Sequence, residues 1–357
     1  MTQGWALVPA ERPVRAVLVG CGAMSAAWLG AAAKVEGLEV VGLVDLREEA
    51  ARQRQQEFGL SRAHVGTDLE ETLRATKADL VFDCTVPEAH HQTALTAFRH
   101  GVSVLGEKPL ADSLPHAQEM VRAAREAGVM HAVIQNRRFD PNIRRVADFV
   151  ASGGLGEVTT LNADFYVGAH FGGFRDEMAH VLLLDMAVHT FDAARLISGE
   201  DPVRVYCHEW NPKGSWYAHG ASAAAIFELT NGVVFTYRGS WCAEGARTSW
   251  EADWRVVGTR GTVLWDGGDH PRASVVRGTG AFLSTLGEFE LPPVAPDARV
   301  GGHEGLIREA VECLRTGRGP ETASADNIRS LAMVLAAVES AGRGERVSVT
   351  WGEGAGT

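Results

Sequence analysis

At 357 residues the chain is too long for one ordinary core, and about 100–200 residues per domain predicts two. A formal charge of −11 excludes nucleic acid and anionic membrane surfaces as natural partners, while a 45% hydrophobic content suffices to pack both domains. Cys21, Cys84, Cys207, Cys242 and Cys313 are odd in number and form no CxxC pair, which argues against a disulfide framework or a cysteine-held metal and for reduced thiols in the cytoplasm. Met1 to Pro13 has no apolar run of signal length, and no stretch reaches the roughly 18–20 apolar residues of a membrane span.

The first structured element is an apolar strand, Val14 to Val19, that ends in Gly20-Cys21-Gly22-Ala23-Met24-Ser25 before a helical stretch through Ala33. Gly20 permits a tight turn there. Gly22, followed by Ala23 and Met24, lets a pyrophosphate approach the N–H groups of the helix N-terminus. Ser25 stands where a third glycine or alanine usually packs helix on sheet. A second strand, Glu39 to Val44, ends at Asp45, about 20 residues beyond the glycine turn, where a carboxylate can take ribose hydroxyls. The candidate cofactor residues of this region are Gly20, Gly22, Ala23, Met24, Asp45, Leu46 and Arg47. Asp45 favours NAD because it repels a 2′-phosphate. Arg47 keeps NADP open.

A helix from Arg47 to Phe58, a strand from Leu80 to Cys84, a helix from Glu88 to His100 and a strand from Ser103 to Leu105 continue the alternation. Strands separated by helices predict an α/β fold with a parallel doubly wound sheet, whose ligands lie at the carboxyl ends of the strands. Two loops leave those ends with polar groups. One is Thr85-Val86-Pro87 with His90 following, and the other is Gly106-Glu107-Lys108-Pro109, whose Glu107 and Lys108 point at the crevice or else form a surface ion pair.

Beyond residue 151 the pattern changes to period-two strands: Val158 to Tyr166, Val203 to Glu209, Ser222 to Leu229, Val233 to Trp241 and Ser249 to Val257, with Asn231-Gly232 as one turn. They predict a large open, mainly antiparallel sheet in an α+β domain. Residues 266–302 are rich in glycine and proline, with room for two short strands. Between the first two long strands, the almost wholly apolar segment Val181 to Ile197 carries Asp185, His189 and Asp192 at i, i+4 and i+7, one polar stripe if it is a helix. A buried carboxylate must pair or face a cleft. A histidine held by an aspartate and open to a cleft is a general base; the alternative is a structural pair at a helix contact. The loop from Phe165 to Arg175 brings Tyr166 and His170 toward this segment. Of the tryptophans between Trp210 and Trp254, Trp216 in the loop from Pro212 to Tyr217 is the best candidate to stack on a sugar ring, although strand tryptophans usually belong to cores. Thirteen histidines show no HExxH or comparable spacing, so no metal is expected.

Taken together, these motifs resemble the Gfo/Idh/MocA family of NAD(P)-dependent oxidoreductases. The resemblance is carried by the GxG turn, Thr85-Val86-Pro87-Glu88-Ala89-His90, Gly106-Glu107-Lys108-Pro109-Leu110, Asn136-Arg137-Arg138-Phe139, the hinge Ala151 to Gly156, Asp185-Met186-Ala187-Val188-His189, and Asp326-Asn327 opening a helix that ends in Glu339-Ser340-Ala341. It implies a Rossmann domain over 1–135 and a substrate-binding and oligomerisation domain over 136–357. It further implies Lys108, Asp185 and His189 as catalytic residues, and adds Pro87, His90, Glu107, Lys108, Asn136 and Arg175 to the cofactor side beside Thr85. The substrate side then comprises Lys108, Tyr166, His170, Asp185, His189 and Trp216. The implied activity is hydride transfer between NAD, with NADP as an alternative, and a secondary alcohol or ketone of a sugar or cyclic polyol. The homo-oligomer would form through the C-terminal sheet. Other activities in such a family are glycoside cleavage through transient oxidation and non-catalytic nucleotide sensing. Two departures stand out: Met178-Ala179-His180-Val181 and Ala187 replace glycines the family often has around the catalytic helix, and Ser25 stands in place of the usual third glycine or alanine of the dinucleotide turn.

Overall fold

Apolar runs closed by glycine or polar turns make buried parallel strands, and such runs build the first sheet. In the computed structural model, which describes residues 4–280, 282–295 and 299–352, its strands are β1 (Val14–Val19), β2 (Leu38–Val44), β3 (His64–Gly66), β4 (Leu80–Asp83), β5 (Ser103–Gly106) and β6 (His131–Val133). All pair in parallel, in the order β3-β2-β1-β4-β5-β6. The order reverses between β1 and β4, the switch point at which doubly wound sheets open a crevice. The crossovers contain α1 (Ala23–Ala32), α2 (Glu48–Glu57), α3 (Leu69–Thr76), α4 (Pro87–Arg99) and α5 (Leu114–Ala127). Asp68 and Ser113 cap α3 and α5 by accepting the N–H groups of Glu71 and His116, which supplies part of each start signal.

His131 at the start of β6 is buried edge-on against Phe98, with ring centroids 5.1 Å apart. Burial pushes its imidazole down to about 4, against the opposing pull of Asp83. The unfolded chain therefore takes up a proton between roughly pH 6.5 and 4 that the folded chain refuses, so stability falls as pH drops through that window by up to about 1.4 kcal/mol per unit. We expect His131→Leu to flatten this part of a Tm-against-pH curve. An unchanged slope would show that His131 does not set it.

The second sheet comprises β7 (Val158–Tyr166), β8 (Pro202–Trp210), β9 (Ser222–Leu229), β10 (Val234–Ser240), β11 (Asp253–Gly258), β12 (Gly261–Trp265), β13 (Arg272–Gly278), β14 (Thr285–Glu290) and β15 (Val347–Ser348). Its order is β14-β13-β12-β11-β7-β10-β9-β8-β15, antiparallel at every junction except β7 with β10. Asn231 and Gly232, at φ 55° and 75°, make the expected turn between β9 and β10. β11 starts only at Asp253, because Ala252 takes φ 68° and the Ser249 hydroxyl accepts the N–H of Glu251, turning the chain where a strand was expected. Helices α6 (Pro141–Ala151), α7 (Phe174–Glu177) and α8 (Val188–Ser198) accompany this sheet, and Asp140 caps α6 on the N–H groups of Asn142 and Ile143. One face of β7, with Leu161, Ala163 and Phe165, is buried. On that face Phe191 of α8 packs edge-on against Phe227 and Tyr237 at 4.8 and 5.3 Å. The other face carries Asn162, Asp164, Arg238 and the exposed Ile226.

Two helices complete the chain, α9 (Gly302–Thr316) and α10 (Ser324–Arg343). The residues divide into two compact units. The first runs to Phe139 and resumes at Arg299–Ile328; the second holds the residues between, and those from Arg329 on. Everything after residue 135 was expected in the second domain, but α9 completes the first core, where Leu306, Ile307, Val311 and Leu314 pack with Trp5, Leu18 and Trp28. Among the described residues no helix is long and apolar enough to cross a membrane.

Candidate active site

At the carboxyl ends of β1, β2 and β4 the first unit opens a cleft of about 530 Å³, lined among others by Gly20, Gly22, Asp45, Leu46, Arg47 and Thr85, as expected. Gly20 has φ 88°, and a Cβ there would lie 2.6 Å from the carbonyl oxygen of Cys84, so only glycine lets β1 and β4 end this close together. Gly22 precedes α1, with open space where its Cβ would stand and no acidic residue in the helix's first turn. The first-turn N–H groups that follow, from Ala23 and the half-exposed Met24, form a positive end that suits a pyrophosphate. Asp45 is held from two sides: Oδ2 accepts Cys21 N–H at 2.8 Å and Oδ1 accepts Arg47 N–H at 2.9 Å. Each oxygen keeps a second lone pair for a ribose hydroxyl. These groups fit a dinucleotide.

Ser25 proves to be a strut. Its hydroxyl donates to Gly22 O at 2.5 Å and accepts from Arg54 Nε at 2.9 Å, while another nitrogen of Arg54 donates to Gly22 O. Arg54, unremarked in the sequence, thus ties α2 to the glycine turn. Pro87 opens α4, where a missing N–H costs nothing, and Gln92, Thr93 and Thr96 of that helix line the cleft without any sequence signal.

Two expected cofactor residues turn inward. His90 is 2% exposed and does not reach the cleft; its Nδ1 lies 3.0 Å from Asp83 Oδ2, while Asp83 Oδ1 accepts both the N–H and the hydroxyl of Thr85. Burial raises the Asp83 carboxyl, but the His90 charge and these hydrogen bonds outweigh it and leave it below its usual range. The His90 imidazole is correspondingly raised by Asp83 against its own burial, so both shifts favour an ion pair. The pair's work is to hold Thr85 at the cleft. Glu107 is also buried: Oε1 accepts the indole N–H of Trp28 at 2.7 Å and Oε2 accepts Lys108 N–H at 3.2 Å. The carboxylate anchors α1 and the backbone of Lys108 rather than facing the crevice. Lys108 itself is half-buried, before a cis proline peptide. Asn136 does not line the cleft and lies 3.5 Å from His303 of α9.

In the second unit the segment after His180 starts as a π turn, Leu182–Ala187, and becomes regular in α8. Asp185 thus lies in the wider turn and His189 one turn on, in the regular helix. Asp185 meets Arg175 of α7, whose Nε donates to Oδ2 at 2.8 Å and whose guanidinium lies over the rings of Phe171 and Phe174. Arg175, expected at the cofactor, is thus the clamp of Asp185. His189 is half-buried in the first turn of α8, while Asp192 faces the interior and accepts the hydroxyl of Ser330 at 2.6 Å. Tyr166 falls on the sheet face with Asp164, opposite the face that packs α8, so period two places it away from the expected substrate side. His170 stacks on Trp216 at 3.7 Å and pairs with Glu244; Trp216 donates its indole N–H to Ala169 O. The stack joins two loops, and Trp216 is only partly accessible.

Two family models match the chain: one described as an oxidoreductase family with an NAD-binding Rossmann fold over residues 14–135, and one as the GFO/IDH/MocA C-terminal domain over 143–264. The chain belongs to the Gfo/Idh/MocA family. Residues 14–135, within the first unit, are the NAD-binding Rossmann fold of that family. Among Gfo/Idh/MocA relatives, a 1,5-anhydro-D-fructose reductase of Ensifer adhaerens is 28% identical over 94% of this chain and 98% of its own length. A D-apiose dehydrogenase of Paraburkholderia graminis is 27% identical over 94% and 89%. An oxidoreductase of Agrobacterium radiobacter, solved with NAD+, L-tartaric acid and magnesium, shares the fold with a TM-score of 0.83 at 22% identity, over 94% of this chain and 98% of its own.

Proposed function

We propose that the protein oxidises a secondary alcohol of a sugar, cyclic polyol or derivative, or reduces the corresponding ketone, with Lys108, Asp185 and His189 acting on the reacting oxygen. The observation that carries this reading is the clamped Asp185 one turn ahead of the half-buried His189 in an otherwise apolar segment, within a family of NAD-binding oxidoreductases. NAD, when bound, supplies the acceptor for the hydride that leaves the carbinol carbon. His189 takes the hydroxyl proton as that C–H bond breaks, so alcohol and oxidised cofactor become ketone, reduced cofactor and one proton. The Lys108 ammonium stabilises the charge that develops on oxygen. Asp185, held by Arg175, keeps lone pairs for the imidazole or for a neighbouring substrate hydroxyl. A panel of polyols, aldoses and anhydro sugars assayed for NADH formation tests the reading, which fails if sugar is cleaved or bound with no NADH ever accumulating.

Asp45 sets the preference for NAD by taking the ribose hydroxyls and repelling a phosphate. We expect Asp45→Ser, with Arg47 kept, to narrow or reverse that preference by about tenfold or more in Kd ratio. Tighter binding of NADP than NAD by the unaltered protein would refute it. We assign the exposed sheet face around Ile226, Tyr206 and Leu264 as the contact between copies of the chain. Light scattering that returns the mass of one chain would remove that assignment.

A further inference from the structure

His180 has φ 55°, a left-handed backbone conformation that residues other than glycine seldom adopt. Two contacts hold it: Nδ1 lies 2.5 Å from Oε2 of Glu209, on β8, and the carbonyl accepts the N–H of Leu184 in the turn that carries Asp185. Glu209 is let into this place by Gly220, where a Cβ would stand 2.6 Å from the Glu209 side chain. The family resemblance implies a glycine-rich turn just ahead of the catalytic helix. Here an imidazole occupies that place at the expense of a strained backbone, and backbone strain of this kind gathers at functional sites.

Both ion pairs near the helix start have the same polarity. The side chain of Glu209 is 9% exposed and that of its partner His180 36%; Asp185 is 13% exposed and Arg175 29%. In each pair the carboxylate lies behind and the cation in front. The Glu209 hydrogen bond, against partial burial, raises the His180 imidazole and favours its charged form. With Nδ1 committed to Glu209, the Nε2–H has no protein partner among the described residues. The loops on either side are fixed around it by Ala218 N–H on Asp176 O at 2.8 Å and the Tyr217 hydroxyl on Ala169 O at 2.7 Å.

We propose that His180 is a substrate-binding residue, backed by Glu209, whose Nε2–H donates to a substrate oxygen on a carbon other than the reacting one, a hydroxyl or a carboxylate. The inference rests on the reading of the protein as a sugar or polyol dehydrogenase. His180→Asn tests it, because asparagine tolerates the left-handed backbone and its amide can still reach Glu209 in place of Nδ1, but has no donor at the Nε2 position. With the substrate found in the NADH-formation panel, KM should rise about tenfold or more in His180→Asn, with kcat within threefold and Tm nearly unchanged. His180→Gly, which relieves the backbone, should show the same rise in KM. Unchanged KM in both variants would make the pair purely structural and overturn the proposal. A carboxylate contact predicts a larger loss for D-gluconate than for myo-inositol, and a hydroxyl contact the reverse. Thermal shift of the NADH-loaded protein by these two compounds separates the two readings. A ligand shift lost in His180→Asn, without NADH formation by the unaltered protein, keeps the subsite and removes the dehydrogenase, whereas a shift retained in His180→Asn removes the subsite alone.

Discussion

Lys108→Ala and His189→Ala are each expected to lower kcat by about 100-fold or more while leaving the Kd for NAD within about threefold. The two side chains are assigned to different halves of one event, removal of the proton and stabilisation of the oxygen it leaves. Neither is among the groups that line the dinucleotide cleft. Asp185→Asn should also be damaging, because it leaves the Arg175 guanidinium facing a neutral amide where the structure has a carboxylate. Steady-state kinetics with the best substrate, and a fluorescence titration of NADH, make the comparison. Turnover at the level of the unaltered protein in either alanine variant would end the assignment of that residue.

The two glycines of the dinucleotide turn should respond differently to alanine. At Gly20 the added methyl meets the Cys84 carbonyl at 2.6 Å in a left-handed backbone, so Gly20→Ala should cost roughly 2–4 kcal/mol of stability as well as most of the affinity for NAD. At Gly22 φ is −73° and no atom lies within 4 Å of the position a methyl would take. Gly22→Ala should therefore leave Tm within a few degrees and weaken NAD by about tenfold or more, since the methyl fills the space in front of the helix amides. Binding of NAD by Gly22→Ala at the original affinity would mean that the pyrophosphate does not approach there.

Much of this site could be read from the chain because backbone chemistry is local. The GxG turn, the acidic residue closing β2, and strands such as Val158–Tyr166 and Ser222–Leu229 depend on neighbours in sequence, and they lie where expected. Partners distant in sequence were illegible. Nothing next to Glu107 announces that Trp28 will take its carboxylate, and nothing next to His90 distinguishes an inward imidazole paired with Asp83 from one facing a cofactor. The stripe of Asp185, His189 and Asp192 assumed one regular helix, whereas the segment opens in a π turn at Leu182–Ala187 and Asp192 turns inward onto Ser330. Arg175 was assigned by family position, and only the fold shows it over Phe171 and Phe174 with its charge on Asp185. Tyr166 was chosen for its place beside a loop, although the alternation within its own strand already pointed it to the other face.

The return of Arg299–Ile328 to the first unit affects the order of events on the ribosome. The six strands of the parallel sheet emerge early, yet the surface around Trp5 and Trp28 stays open until Leu306, Ile307, Val311 and Leu314 have been made. At usual synthesis rates the intervening stretch takes on the order of ten seconds or more, long enough for an unfinished apolar face to need shielding by a chaperone. For the same reason a graft of the nucleotide-binding half into a related enzyme must transplant two separate pieces of sequence. A fragment cut after Phe139 would be a nascent chain stopped before its core can close.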